Sequence, residues 1–292
     1  MPDPTRLFIT GGSSYLGQHL VPLAQKAGLP VAYSYFSHNP WPVPAPQTTA
    51  VSLDLRHPTA VSQAIAAHQP QIIIHLAGSN RADDMSAVII EGTRAITQAA
   101  QTHQARLIHL STDVIFDGRQ APYDETAVPS PLHEYGRAKA EAEAIVQTHP
   151  NHIIIRTSLI YGLRQIDRGT EWMLAALRQN QPITLFDNQW RNPVWVMTLA
   201  QACLELATTQ TDLRGILNIA GQQAVTRAEL GLKLLDWWQL SPEKRSLLTV
   251  APAPADAPWP PDTRLVLDRA QRHLHTPLLG LDEVLAQAPN AA

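Results

Sequence analysis

Tyr135 and Lys139 stand four positions apart in Tyr135-Gly136-Arg137-Ala138-Lys139. On a helix that spacing puts both side chains on one face, roughly 6 Å apart at Cβ. A free phenol titrates near pH 10, too high for acid–base work around neutrality. A neighbouring ammonium stabilises the phenolate and lets the phenol pass a proton to a carbonyl oxygen. A second group, Ser111-Thr112-Asp113, leaves the C-terminal end of the apolar run Arg106 to Leu110. Ligands of open parallel sheets bind at that end, and a hydroxyl there can hydrogen-bond the same carbonyl oxygen. A third, Thr10-Gly11-Gly12-Ser13-Ser14-Tyr15-Leu16-Gly17, is a glycine turn between a strand and a helix. A dinucleotide's pyrophosphate needs such a turn, together with the unpaired N–H groups of a helix start. Ser14 occupies the middle glycine position, where its side chain either crowds the phosphate or hydrogen-bonds to it.

Cofactor choice is read at the end of the second strand. An acid there binds the ribose 2′-hydroxyl of NAD and repels the 2′-phosphate of NADP. Tyr33-Ser34-Tyr35-Phe36-Ser37-His38 contains no acid. Its hydroxyls, that of Ser34 among them, and His38 can accommodate a phosphate, so NADP(H) is expected over NAD(H). Arg191, in Trp190-Arg191-Asn192-Pro193, is a candidate grip on a substrate diphosphate, because a guanidinium holds phosphate bidentately; a surface ion pair is the alternative. Trp237-Trp238 reads as packing of a smaller lobe. The 12 histidines are scattered without metal-ligand spacing, so no metal site is expected.

These groups need a frame. Leu7 to Thr10, Val31 to Phe36, Thr49 to Leu53, Gln71 to Leu76, Arg106 to Leu110 and His152 to Thr157 read as strands. Helices alternate with them at about Tyr15 to Ala27, Pro58 to His68, Ser86 to His103 and His133 to Thr148. That rhythm predicts an α/β protein with a Rossmann-type, doubly wound parallel sheet. The unbroken run Ile72-Ile73-Ile74 fits a strand covered on both faces. Residues 1–162 are expected to form the dinucleotide-binding domain. Residues 163–292 are expected to form a smaller C-terminal substrate-binding lobe, with segments interleaved with the sheet domain. In it, helices near Glu171 to Gln179, Met197 to Ala207 and Arg227 to Trp238 are separated by Ile183 to Phe186 and Gly215 to Ala220. The proline-rich stretches Pro40 to Pro46 and Ala251 to Pro261 read as loops, the second tying down the lobe.

Composition removes other classes. With 22 basic and 25 acidic residues the net charge is −3, so no basic field exists to hold a nucleic acid or an anionic membrane. The single cysteine, Cys203, excludes an internal disulfide and fits a reducing compartment. No apolar run approaches the roughly 20 residues that span a bilayer. Met1 to Arg6 shows no signal-peptide pattern, so a cytoplasmic protein is expected.

The order of the motifs adds a resemblance. Glycine turn, His75-Leu76-Ala77-Gly78, Ser111-Thr112-Asp113, then Tyr135 to Lys139 resembles the extended short-chain dehydrogenase/reductases. Within them Ser111 to Gly118, Pro122-Tyr123-Asp124-Glu125, Arg156 to Gly162 and Asp187-Asn188-Gln189 look most like the dTDP-4-dehydrorhamnose reductases. The resemblance covers nearly the whole chain and thins after Gly221. It implies NADPH-dependent reduction of the C4 keto group of a nucleotide-linked 4-keto-6-deoxy sugar. Tyr135 would give the proton, Lys139 would hold the nicotinamide ribose and lower the pKa of Tyr135, and Thr112 would be the catalytic hydroxyl. Gly11, Ser13, Ser14, Tyr15, Leu16 and Gly17 would lie at the pyrophosphate. Asp54-Leu55 would meet the adenine edge and Ala77-Gly78 the ribose. Ser111, Asp113 and Arg191 are further candidates for the substrate. Homodimers through paired helices are common in the family.

The chain departs from the pattern at Ser14, at Ile89 (usually Asn), at Leu159 (usually Trp) and in Ser79 to Asp84. Two other functions stay open. One is an NADP-binding regulatory subunit, similar to the β-subunit of methionine adenosyltransferase. The other is a nucleotide-sugar epimerase or dehydratase, against which stand the missing acid after strand two and Val114, where dehydratases carry Glu.

Overall fold

Period-two burial builds the centre of the molecule. The computed structural model describes residues 5–41, 43, 45–78 and 84–288. Met1 to Pro4, Pro42 and Pro44 of the first proline-rich loop, and Ser79 to Asp83 lie outside the described residues, as do Pro289 to Ala292. Six strands, β1 (Leu7–Thr10), β2 (Val31–Tyr35), β3 (Thr48–Ser52), β4 (Ile72–His75), β5 (Arg106–Leu110) and β6 (His152–Arg156), join Gly215–Asn218 in one seven-stranded sheet. Every pairing in it is parallel. Leu7, Ile9, Ile72, Ile74, Ile108, Ile153 and Ile155 enter one apolar cluster, while Phe8, Ile73, Leu107 and Ile154 enter another. Side chains alternate across a strand, so consecutive isoleucines fill opposite faces.

Helices cover both faces. On the first lie α1 (Gly17–Lys26), through Leu20 and Val21, and α6 (Val196–Thr208), through Leu199 and Leu206. On the second lie α2 (Pro58–His68), through Val61 and Ile65, and α3 (Met85–Thr102), through Ile96 and Ala99. Next to α3 packs α4 (Glu134–Gln147), whose Val146 joins the second cluster. Burial of each such side chain is worth about 1.5–3 kcal/mol. Truncating one, as in Ile74→Ala, costs roughly 2–5 kcal/mol.

Strand order is Gly215–Asn218, β6, β5, β4, β1, β2, β3. The chain winds outward from β1 in one direction and from β4 in the other. The crevice above the C-terminal ends of β1 and β4 is therefore the switch point at which such sheets bind ligands. The expected alternation and parallel order are present. The first helix starts at Gly17 rather than Tyr15, because Ser13 to Leu16 remain in the turn.

Two further apolar clusters build a lobe over the same edge. Helices α5 (Arg168–Arg178) and α7 (Arg227–Trp237) pack on a parallel strand pair, Ile183–Phe186 with Leu248–Ala251. Trp237 and Trp238 pack within this lobe, as their sequence implies, their indole N–H groups donating to Ala288 O and Leu163 O at 2.8 Å each. Among the described residues no helix is long and apolar enough to cross a membrane.

Candidate active site

The glycine turn is fixed by close backbone approach. Gly11 has φ +68°, and a Cβ there would sit 3.0 Å from the Ala77 nitrogen. A Cβ on Gly17 would sit 2.4 Å from Gly11 O and 2.6 Å from Gly12 O. Only glycine lets α1 start that tightly on the turn. Ser14 neither leaves the turn nor crowds it: its Oγ accepts from the Gly17 N–H at 3.1 Å and so caps the helix start. Among the described residues the N–H groups of Ser13, Tyr15 and Leu16 donate to no protein acceptor. A turn stripped of Cβ atoms with three unfilled donors at a helix N-terminus fits a dinucleotide pyrophosphate. Tyr15 reaches out of the turn and donates to Gln165 O at 2.7 Å, tying the turn to the lobe.

Other cofactor candidates divide. Ala77 lies against the turn, and Gly78, at φ +132°, would bring a Cβ to 3.1 Å from Ile89. Ser34 is buried, its Oγ accepting from the Gly11 N–H at 3.1 Å, so it props the turn from beneath. His38 is exposed beyond β2. The carboxylate of Asp54 accepts from Arg56 Nε at 3.0 Å, and this hydrogen bonding holds it down at about 2. Arg56 also pairs with Asp84 and stands 5.4 Å over the exposed Phe36 ring. Leu55 is buried against Gly92.

The proton-handling groups meet at a cavity of about 490 Å³ at the C-terminal end of β5. Thr112, Asp113, Tyr135, Leu159 and Arg191 all line it. Thr112 caps a short 3-10 turn, its Oγ1 accepting from the Val114 N–H at 3.4 Å. Tyr135 sits in the first turn of α4, which His133 caps through Nδ1, accepting from the Gly136 N–H at 3.1 Å. Burial, and secondarily Asp113, push the Tyr135 phenol up to about 12. Lys139 does not counter this. Its Nζ donates to Leu110 O at 2.5 Å and lies 3.3 Å from His109 Nε2. Burial lowers that ammonium to about 8, with Glu143 pulling the other way. The lowering of Tyr135 by Lys139 expected from their spacing is therefore not what this structure has. Beneath Lys139, His109 and His75 are both held neutral by burial, His75 down to about 3. Ile89 fills the polar position of the family pattern with apolar bulk, packing on Ala138 and Ala142 with Tyr135 alongside.

Two substrate candidates have structural duties. Ser111 is absent from the cavity wall and donates to Glu143 Oε1 at 2.5 Å, beside the buried Glu143–Arg156 ion pair of 2.8 Å. Arg191 is on the wall, but its terminal nitrogens donate to Trp190 O and Pro260 O at 2.7 Å each, and its Nε lies 3.8 Å from Asp113. Asp113 in turn accepts from Ser158 at 2.7 Å and Thr263 at 2.8 Å. Sequence reasoning missed Arg227 and Asp167, both on the wall, and the cap His133. The capping box formed by Thr226 and Glu229, with a cation as its first helical residue, was the signal available for Arg227.

A family model, the RmlD substrate binding domain, matches residues 5–290. The chain belongs to this family. The RmlD family lies within the extended short-chain dehydrogenase/reductases, so by family the chain is an NAD(P)-dependent oxidoreductase. The chain is 30% identical over 240 residues to a dTDP-4-dehydrorhamnose reductase of Sinorhizobium fredii, covering 76% of this chain and 80% of that one. It is 26% identical over 295 residues to methionine adenosyltransferase 2 subunit beta of Danio rerio, covering 94% and 85%. A solved dTDP-4-dehydrorhamnose reductase from Bacillus anthracis, in complex with NADP, superposes at TM-score 0.76 and 23% identity, covering 97% of this chain and 98% of that one.

Proposed function

We propose that this RmlD-family chain reduces the C4 ketone of a nucleotide-linked 4-keto-6-deoxy sugar with NADPH. The observation that carries the reading is one cavity wall holding both Thr112 and Tyr135 where β5 ends. Bound nicotinamide supplies the hydride; the protein supplies position and a proton. Tyr135, kept protonated by its surroundings, is the donor to the ketone oxygen as charge develops there. Thr112 Oγ1 hydrogen-bonds the same oxygen and fixes its direction. Lys139, anchored by Leu110 O, holds the nicotinamide ribose. For NADPH over NADH speak the missing acid after β2 and the exposed Phe36, Ser37 and His38 in its place. The NADP in the Bacillus anthracis reductase is in line with this.

A second reading, an NADP-binding regulatory subunit, is supported by the methionine adenosyltransferase relative that spans 94% of the chain. The two part on turnover. NADPH oxidation with dTDP-4-keto-6-deoxy sugar should proceed in wild type and fall about 10²- to 10⁴-fold in Tyr135→Phe. NADPH binding without turnover on this or the corresponding UDP- and GDP-linked ketoses would overturn the reductase reading in favour of the regulatory one.

A further inference from the structure

Arg227 is the first residue of α7, at the positive end of that helix, where a cation opposes the helix dipole. The helix needs nothing from its side chain, because Thr226 and Glu229 already close a capping box. The guanidinium lines the 490 Å³ cavity, and among the described residues it makes no hydrogen bond or ion pair. Burial and the like charge of Arg191 both disfavour its charged form, and Asp113 only partly offsets them.

The other charges on the wall are occupied. Arg191 faces carbonyl oxygens and Asp113. Asp113 accepts from Ser158 and Thr263. Asp167 caps α5, accepting from the Gly169 N–H at 2.6 Å and the Thr170 N–H at 3.0 Å. Of the two arginines on this wall, Arg227 is the one whose guanidinium makes no hydrogen bond among the described residues. A guanidinium presents five N–H groups in a rigid fork, and here, on a half-buried residue, they have no protein acceptor among the described residues. Such a local conflict belongs at a site that a ligand completes. Phosphate oxygens match the fork bidentately. On the same wall, Trp172 and Trp259 remain 41% and 38% exposed, broad rings against which the base or sugar of a nucleotide can pack.

We propose that Arg227 anchors the diphosphate of a nucleoside-diphosphate ligand in this cavity. This makes it the residue that selects a nucleotide-linked sugar over a free one, and to that extent it rests on the keto-sugar reading above. Arg191, bound to the backbone, holds the wall in shape instead.

The test is calorimetric titration of the full chain with dTDP, UDP and GDP, comparing wild type, Arg227→Gln and Arg227→Lys, with melting temperatures alongside. At least one nucleoside diphosphate should bind wild type, and Arg227→Gln should weaken it about 10- to 100-fold. Arg227→Lys, which keeps the charge and loses the fork, should fall between. The melting temperature of Arg227→Gln without ligand should equal or exceed that of wild type, since a cation in an unfavourable place has gone. Binding within twofold in Arg227→Gln, or no binding of any of the three to wild type, would overturn the proposal. So would a fall of several degrees in melting in Arg227→Gln together with full retention of affinity in Arg227→Lys, which would make Arg227 a structural cation. Failure of keto reduction with this binding intact removes the reductase reading alone. Tyr135-dependent turnover with an unchanged KM in Arg227→Gln removes the anchor alone.

Discussion

Ser111 donates to the carboxylate of Glu143 at 2.5 Å, while its neighbour Thr112 lines the cavity. Adjacent hydroxyls thus have different surroundings: one joins a buried ion pair and the other lines the cavity. Thr112→Val should lower kcat about a hundredfold with little change in melting temperature. Ser111→Ala should leave kcat within about twofold and cost about 1–3 kcal/mol of stability in denaturant titration, because the buried Glu143 carboxylate loses one of its donors, Arg156 remaining. A kcat collapse in Ser111→Ala would reverse the assignment.

The pH dependence of the reaction follows from Tyr135. With its phenol pushed up to about 12, the acid form persists through the neutral range. Ketone reduction should therefore not decline for want of a donor below about pH 10. The reverse alcohol oxidation needs the phenolate and should climb about tenfold per pH unit over the same range. Initial rates in both directions, measured from about pH 6 to 10, check this. A reverse rate already flat at neutral pH would show that the phenol titrates low.

Lys139 gives a stability signature with a definite sign. Its ammonium titrates at about 8 in the folded chain, against 10.5 for a free lysine. Between those values the unfolded chain binds more protons, so folding stability rises with pH across that window. The gain reaches roughly 3 kcal/mol at most. Lys139→Met should lack this rise when the two chains are compared by denaturant titration between about pH 7 and 10. Parallel curves would refute the buried ammonium.

Two glycines separate crowding from backbone strain. Gly17→Ala drives a methyl into Gly11 O and Gly12 O and should weaken NADPH binding at least tenfold in a fluorescence titration. Gly28, at φ +72°, stands beyond the far end of α1, and a Cβ added there would meet nothing within 4 Å. Gly28→Ala should cost about 1 kcal/mol of stability and leave NADPH affinity unchanged.

The sheet was legible because Ile72-Ile73-Ile74 and Ile153-Ile154-Ile155 can satisfy two apolar faces only as central strands. The Thr112–Tyr135 wall was legible because both residues sit at element ends whose positions the strand and helix patterns fix. Distance across the fold was not legible. Spacing of four puts Lys139 on the face of Tyr135, yet its ammonium donates to the Leu110 carbonyl, brought in by β5. Ser34 looked like a phosphate contact from its place at a strand end, but parallel pairing of β1 with β2 turns it under Gly11. Arg191 reads from the sequence as a diphosphate grip or a surface ion pair, because the carbonyls of Pro260 and Pro261, which it binds besides that of Trp190, lie 69 and 70 residues later.

The carboxylate of Asp113 has a bearing on how the chain is made. It emerges with the sheet, yet one of its hydroxyl partners, Thr263, follows 150 residues later. Ser158 and Arg191 arrive in between. A nascent chain that ends before Thr263 lacks one of the donors to this acid, and burying a carboxylate without its full set of partners is costly. The polar shell of Asp113 in the cavity wall is therefore complete only once Thr263 has been made.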